Sequence, residues 1–431
     1  MKRLIGIAVA FAIVATGAFA QVRVSGQISA GATLLAGDNG DDSDVTASGA
    51  QQWVSGQRGT SARLQLDAGN DTIGARVRLF TNGIENPAFA FVWWRPLDIL
   101  RLQFGRNPDG DWGGAQITGW GFTGDPKNIG VAMNRGRDPL LLGDYFTAHG
   151  VGFYDGVNFQ SVQATLFPID GLALNIAIPF PDIWQANNDN ATPNPNNQPG
   201  MLASEAWRRL HVHLRYAIGD IGTVRLTYVG GSNDDDASTD NFGRGVNAGT
   251  LARPRHNPGD NAWGNPQSIW ASFFSNSLVD GLDVDFGLGF YIPEDDIQAP
   301  MEIGLGARYT MGDFNIRFRS GFRFIGSYKE GDDTLNTPVL MGFAILPNYN
   351  FGSFRVFLNT GMDIELQQEG DEDAFVAWFV NPYIQVPVSG FNFFAGFKLF
   401  NGRTAAGGGT TTDKSGMLVN WKVPIGVIYN F

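Results

Sequence analysis

Apolar residues recur at every second position over long stretches of this chain, with polar ones between them. Over 416–431, Met417, Val419, Trp421, Val423, Ile425, Val427, Tyr429 and Phe431 alternate without a break with Leu418, Asn420, Lys422, Pro424, Gly426, Ile428 and Asn430. A period of two is that of a β-strand with one apolar and one mixed face. The same code gives a row Leu172, Leu174, Ile176, Ile178 and Phe180. It sets Leu210, Val212, Leu214, Tyr216 and Ile218 opposite His211, His213, Arg215 and Ala217. It sets Leu282, Val284, Phe286, Leu288, Phe290 and Ile292 opposite Asp283, Asp285 and several glycines. It sets Ile316, Phe318, Phe322 and Phe324 opposite Asn315, Arg317, Arg319 and Arg323. A soluble sandwich would bury the apolar faces between two sheets. A barrel in lipid would turn them outward and keep the polar faces inside.

The connections are of two kinds. Short ones with turn residues fall at 69–71, 96–98, 168–171, 219–222, 279–281, 312–313, 347–350 and 388–390. Longer ones fall near 36–51, 81–87, 106–148, 181–206, 231–267, 293–300, 326–337, 367–373 and 401–415. The two sets interleave strictly, long and short in turn. Nine long and eight short connections predict 18 strands with both chain ends on the short-turn side. Residues 149–167 are counted as one strand, and Tyr154-Asp155-Gly156 inside it offers a turn, so 16 or 20 strands stay open. The expected fold is all-β, an antiparallel up-and-down transmembrane barrel over 21–431.

Residues 1–20 have the form of a secretory signal peptide: Lys2 and Arg3, an apolar run, then Ala18-Phe19-Ala20 before the expected cleavage. Strand one would start almost at once, with Val22, Val24 and Ile28 facing away from Arg23 and Gln27, which leaves no room for a plug domain ahead of it. With Lys2 and Arg3 removed, 28 basic residues face 42 acidic ones, a balance that argues against nucleic acid as a partner. Cys is absent, so no disulfide framework is available. Mean hydropathy is -0.11, which does not fit a helical membrane protein.

The last strand, ending Tyr429-Asn430-Phe431, resembles that of bacterial outer-membrane β-barrel proteins, whose final strand typically ends in Phe. In that family the terminal pattern is read by the barrel-assembly machinery, which makes Tyr429 and Phe431 a candidate assembly signal. The third long connection, 106–148, is similar by order and length to the third external loop of general porins. There the loop folds into the barrel and narrows it, with acids facing an arginine cluster. The resemblance makes Asp109, Asp111, Trp112, Trp120 and Asp125 candidates for a constriction. It also implies a homotrimer, contact with outer-membrane and lipopolysaccharide-like lipids, and small hydrophilic solutes as cargo.

Eighteen strands enclose an aqueous channel, so the polar face becomes a pore wall. Its expected bases are Arg23, Arg63, Arg76, Arg78, Arg101, Arg215, Arg225, Arg308, Arg317, Arg319, Arg323, Arg355, Lys398 and Lys422. Its expected acids are Asp67, Asp283, Asp285, Glu302, Asp363 and Glu365. The wall is therefore basic in an acidic chain, and Arg76, Arg78, Arg101, Arg215, Arg317, Arg319, Arg323 and Arg355 are the selectivity candidates. The competing reading of these arginines is plain hydration of a wet interior. Aromatic residues near strand ends, among them Trp93, Trp94, Phe180, Trp207, Phe391, Phe400 and Tyr429, suit interfacial girdles. Four histidines and no catalytic, phosphate-loop or zinc motif leave no enzyme, cofactor or metal expected. A passive porin is the expected function; a channel specific for sugars or small acids, and a surface adhesin, are the alternatives.

Overall fold

The computed structural model describes residues 21–38, 46–48, 61–80, 89–106, 160–179, 210–229, 267–292, 301–323, 327–330, 333–336, 339–366, 375–401 and 419–431. Every regular element among them is a strand. In chain order these are β1 (Gln21–Asp38), β2 (Thr46–Ser48), β3 (Ser61–Gly69), β4 (Ile73–Phe80), β5 (Phe89–Leu97) and β6 (Leu100–Arg106). Next come β7 (Gln160–Ile169), β8 (Leu172–Pro179), β9 (His211–Ile218), β10 (Gly222–Val229), β11 (Gln267–Val279) and β12 (Leu282–Ile292). Then follow β13 (Met301–Met311), β14 (Phe314–Arg323), β15 (Ser327–Glu330), β16 (Asp333–Asn336) and β17 (Val339–Asn350). The series closes with β18 (Arg355–Leu366), β19 (Phe375–Val388), β20 (Phe391–Gly396), β21 (Lys398–Asn401) and β22 (Val419–Asn430).

Eighteen staves make the barrel wall. β20 and β21 are one stave interrupted at Phe397, whose N–H instead donates to Pro382 O at 2.9 Å. β2 only extends the edge of β1, and β15–β16 is a separate hairpin inside a long connection. Each stave pairs antiparallel with the next, and β22 returns to β1 from Gln27↔Asn430 to Asp38↔Asn420. That last pairing leaves no stave with an open edge, the condition for a sheet in hydrocarbon. The staves β11 to β14 and β17 to β19 run from 10 to 14 residues, enough to cross the apolar layer at a tilt.

The register assigns every residue to one of two faces, because directly opposed residues point to the same side. One face carries large apolar side chains that are exposed, such as Val22, Val92, Val224, Leu305, Ile345 and Leu358. The other holds Gln103, Gln163, Asn175, His213, Thr227, Asn359 and Asn381, all buried. Exposed apolar outside and buried polar inside is the reverse of a water-soluble protein, and it is what a lipid solvent demands.

The eight short connections of the barrel lie where turn chemistry predicts them, with one shift. Pro347-Asn348-Tyr349-Asn350 is strand, and the turn lies at 351–354, where Gly352 takes a positive φ of 83°. Of residues 149–167, those from Gln160 onward belong to β7, which runs to Ile169, and 149–159 with Tyr154-Asp155-Gly156 lie outside the described residues. Since β6 pairs directly with β7 and the ring closes, the count is 18, and 16 and 20 fall away. At the β11–β12 turn Gly281 has φ of 73°, and a Cβ there would lie 2.4 Å from Thr310 O, so only glycine lets the turn nest against β13.

Candidate functional site: the inner wall

Strand pairing puts all fourteen expected bases and all six expected acids on the inner face. The links are direct: Arg23↔Asp67↔Arg76, Gln27↔Arg63, Gln65↔Arg78, Arg101↔Thr165, Arg215↔Arg225, Asp283↔Arg308↔Arg317 and Glu302↔Arg323. Arg319↔Gly306, Arg355↔Gln385, Asp363↔Gly342, Glu365↔Leu340 and Lys398↔Lys422 complete the set, with Asp285 beside Gly306. Three of these pairs, Arg215↔Arg225, Arg308↔Arg317 and Lys398↔Lys422, oppose like charges directly, a placement that costs stability on an ordinary sheet.

Each arginine is held by its neighbours in its own way. On β3–β4, Arg76 pairs with Asp67 and its guanidinium carbon lies 6.0 Å from the Phe91 ring centroid. Arg78 Nε donates to Gln65 Oε1 at 2.9 Å. Arg101 lies over Trp93 at 5.6 Å, and Arg355, near the short-turn rim, over Phe357 at 5.9 Å. Arg308 pairs with Asp283.

Two features of this wall had no counterpart in the sequence reading. One is a belt of neutral polar groups across β6–β11: Gln103, Ser161, Gln163, Thr165, Asn175, Thr227 and Ser272 are all buried. Within it Gln163 Nε2 donates to Ser161 Oγ at 3.0 Å and Asn175 Nδ2 to Thr165 Oγ1 at 2.9 Å. His213 Nδ1 meets Thr227 Oγ1 at 3.1 Å, and the His211 and His213 rings stand 6.0 Å apart. Among the described residues no group of three or more His, Cys, Asp or Glu could hold a metal ion. The other feature is aromatic: Phe357 and Tyr383 stack at 4.3 Å and 3°, with Phe394 next to them, on the inner face. Strict alternation around Asn359, Asn381 and Lys398 was the signal that carried these rings inward.

Two girdle assignments are corrected. Trp93 pairs with Gly74 and Gln103, and Phe400 with Phe379 and Asn420, so both belong to the inner face. Trp94 and Phe391 are exposed on the outer one. Tyr429 lies on the outer face too, stacked on Phe391 at 4.5 Å and beside Phe431 at 5.9 Å. Phe180, Trp207, the segment 107–148 with Asp109, Asp111, Trp112, Trp120 and Asp125, and residues 1–20 lie outside the described residues.

No protein-family pattern matches this chain, and no curated protein does. Among solved structures it is similar to the anion-selective porin from Comamonas acidovorans, at 12% identity and a TM-score of 0.47, over 96% of this chain and 100% of that one. It is similar to the outer membrane channel DcaP of Acinetobacter baumannii at 12% identity and a TM-score of 0.46, over 96% and 97%. With Pseudomonas aeruginosa OpdL the identity is 10% and the TM-score 0.49, over 95% and 99%. The barrel described above stands on its own strand pairing.

Proposed function

We propose that this chain is an outer-membrane porin: a water-filled channel through which small hydrophilic solutes diffuse down their gradients, without catalysis and without a cofactor. The observation that carries this reading is the closed ring of 18 staves, with buried polar side chains on one face and exposed large apolar ones on the other among the described residues. Outer-membrane lipid as the solvent of that face, export through the leader 1–20, insertion by an assembly machinery and a homotrimeric state belong to the same proposal. Reconstitution in a planar bilayer tests it. Large, stable steps that do not saturate with salt are expected; a folded barrel that inserts without conducting would leave a surface adhesin as the better reading.

Fourteen bases against six acids on the wall lead to a modest anion preference. Fields inside the pore are screened within about 10 Å at 0.1 M salt, so only charges lining the narrow part count. In a potassium chloride gradient the reversal potential should favour chloride. The double change Arg76→Gln, Arg78→Gln should move it toward zero selectivity, and strong cation preference of the unaltered channel would refute the basic wall as the selective element.

The segment 106–148 enters this proposal as the constriction, with Asp109, Asp111 and Asp125 facing wall arginines such as Arg76, Arg78 and Arg101. Removing residues 110–125 should raise single-channel conductance and admit larger sugars in a liposome-swelling assay. An unchanged size cutoff in a barrel that still folds would move the constriction to the wall or to 231–267.

A further inference from the structure

We propose that the wall of β4–β8 carries a subsite for the carboxylate of a small hydroxy acid, formed by Arg101, Gln103 and Asn175, with Trp93 as the residue that positions Arg101. This deepens the channel reading and rests on it. Trp93 is set down on the wall itself: a Cβ at Gly74 would lie 2.1 Å from Cζ2 of its ring, so the indole occupies the space a side chain would take. Its Nε1 donates to Asn70 O at 3.3 Å, which fixes the ring within its plane. The Arg101 guanidinium then lies over that ring, 5.6 Å from the centroid. A ring face holds a guanidinium without cancelling its charge, unlike a carboxylate partner.

The neighbouring amides leave particular atoms unused. Asn175 spends Nδ2 on Thr165 Oγ1 at 2.9 Å and Gln163 Oε1 at 3.4 Å. Gln163 spends its own Nε2 on Ser161 Oγ at 3.0 Å. Arg101 Nε, Gln103 Nε2 and Asn175 Oδ1 remain, buried and without a hydrogen-bond partner, in side chains of which Gln103 is 4% and Asn175 0% exposed. Unmet buried polar atoms are costly, and a bound ion, water or ligand is one way in which they are satisfied. The pattern left over is two donors, one cationic, and one acceptor. A carboxylate takes the two donors and a hydroxyl on the same molecule gives to the acceptor. A fully charged phosphate would meet the Asn175 oxygen with repulsion, and a neutral sugar would leave the guanidinium charge unanswered.

Lactate is the probe, with propionate as its match lacking the hydroxyl, added to single channels conducting chloride. Lactate should reduce the chloride current saturably, and propionate should need a several-fold higher concentration. Arg101→Lys keeps the charge but loses the planar fork, and Gln103→Leu keeps the volume but loses the donor. Each should weaken the lactate effect about tenfold, the loss of one charge-assisted hydrogen bond. Trp93→Leu should weaken it likewise and Trp93→Phe should restore part, since a ring is what holds Arg101. Saturable block that is equal in Arg101→Lys, Gln103→Leu and the unaltered protein overturns the subsite. So does a channel that conducts but shows no saturation with lactate, which leaves the porin reading intact. Absence of any conductance overturns the porin reading and this one with it.

Discussion

Leu305→Arg should destabilise the folded barrel in a bilayer by about 2–4 kcal/mol, the cost of an arginine near the apolar midplane of a membrane barrel. Leu305 stands near the middle of β13, opposite Phe286 on one side and Ser320 on the other, and is 42% exposed on the outer face. If that face met water, replacing a half-exposed leucine by arginine would change stability by no more than ~0.5 kcal/mol. The sign and size of the effect therefore report the solvent directly. Urea unfolding of the protein in lipid vesicles, followed by the shift in gel mobility, supplies the number. A control on the other face sharpens it: Ser25→Arg adds the same charge to a half-buried inner position on β1, beside Gln65, and should leave unfolding close to that of the parent while altering ion selectivity. Equal stability of Leu305→Arg and the parent would place the outer face out of lipid.

The barrel was legible because every stave repeats one local rule. Once Arg317 and Arg319 are assigned inward, alternation fixes Ile316 and Phe318 outward, and strand pairing carries the same parity into β13 and β17. That is also why the inward set of charges could be written down residue by residue. The failures came where local chemistry and long-range pairing disagree. Pro347-Asn348-Tyr349-Asn350 has the composition of a turn, yet Asn348 and Tyr349 pair with Phe357 and Val356, and the ladder merely skips from Ile345 to Asn348 around the proline. A proline costs one ladder bond there and no more. Trp93 and Trp94 look alike to composition, but adjacent residues of a strand cannot share a face, and the pairing with Gly74 draws Trp93 inside. The belt of Gln103, Gln163, Asn175 and Thr165 was not legible at all. Amides and hydroxyls look like solvated surface in a sequence, and their burial depends on which strands the closed ring sets side by side.

Deleting Phe431 should lower the yield of folded barrel several-fold and leave the single-channel conductance of the surviving barrels unchanged. The seam explains the first part. β22 joins β1 through a ladder that ends in a two-way exchange, Gly26 N–H to Phe431 O at 2.8 Å and Phe431 N–H to Gly26 O at 3.1 Å. The ring belongs to an outer aromatic row with Tyr429 and Phe391, and at 49% exposed it adds little to a core. It is not on the inner face, which explains the second part. The deletion removes two things at once, so Phe431→Ala is the informative companion, because alanine keeps both backbone bonds and loses only the ring. Each backbone bond contributes about 0.5–1.5 kcal/mol, too little on its own to abolish a barrel held by a full seam. If the ring acts as a signal in assembly, Phe431→Ala should fail as the deletion does in cells, Phe431→Trp should assemble, and all three should refold alike from urea into vesicles. A yield of Phe431→Ala equal to that of the parent in cells would reduce the role of the residue to its two bonds with Gly26.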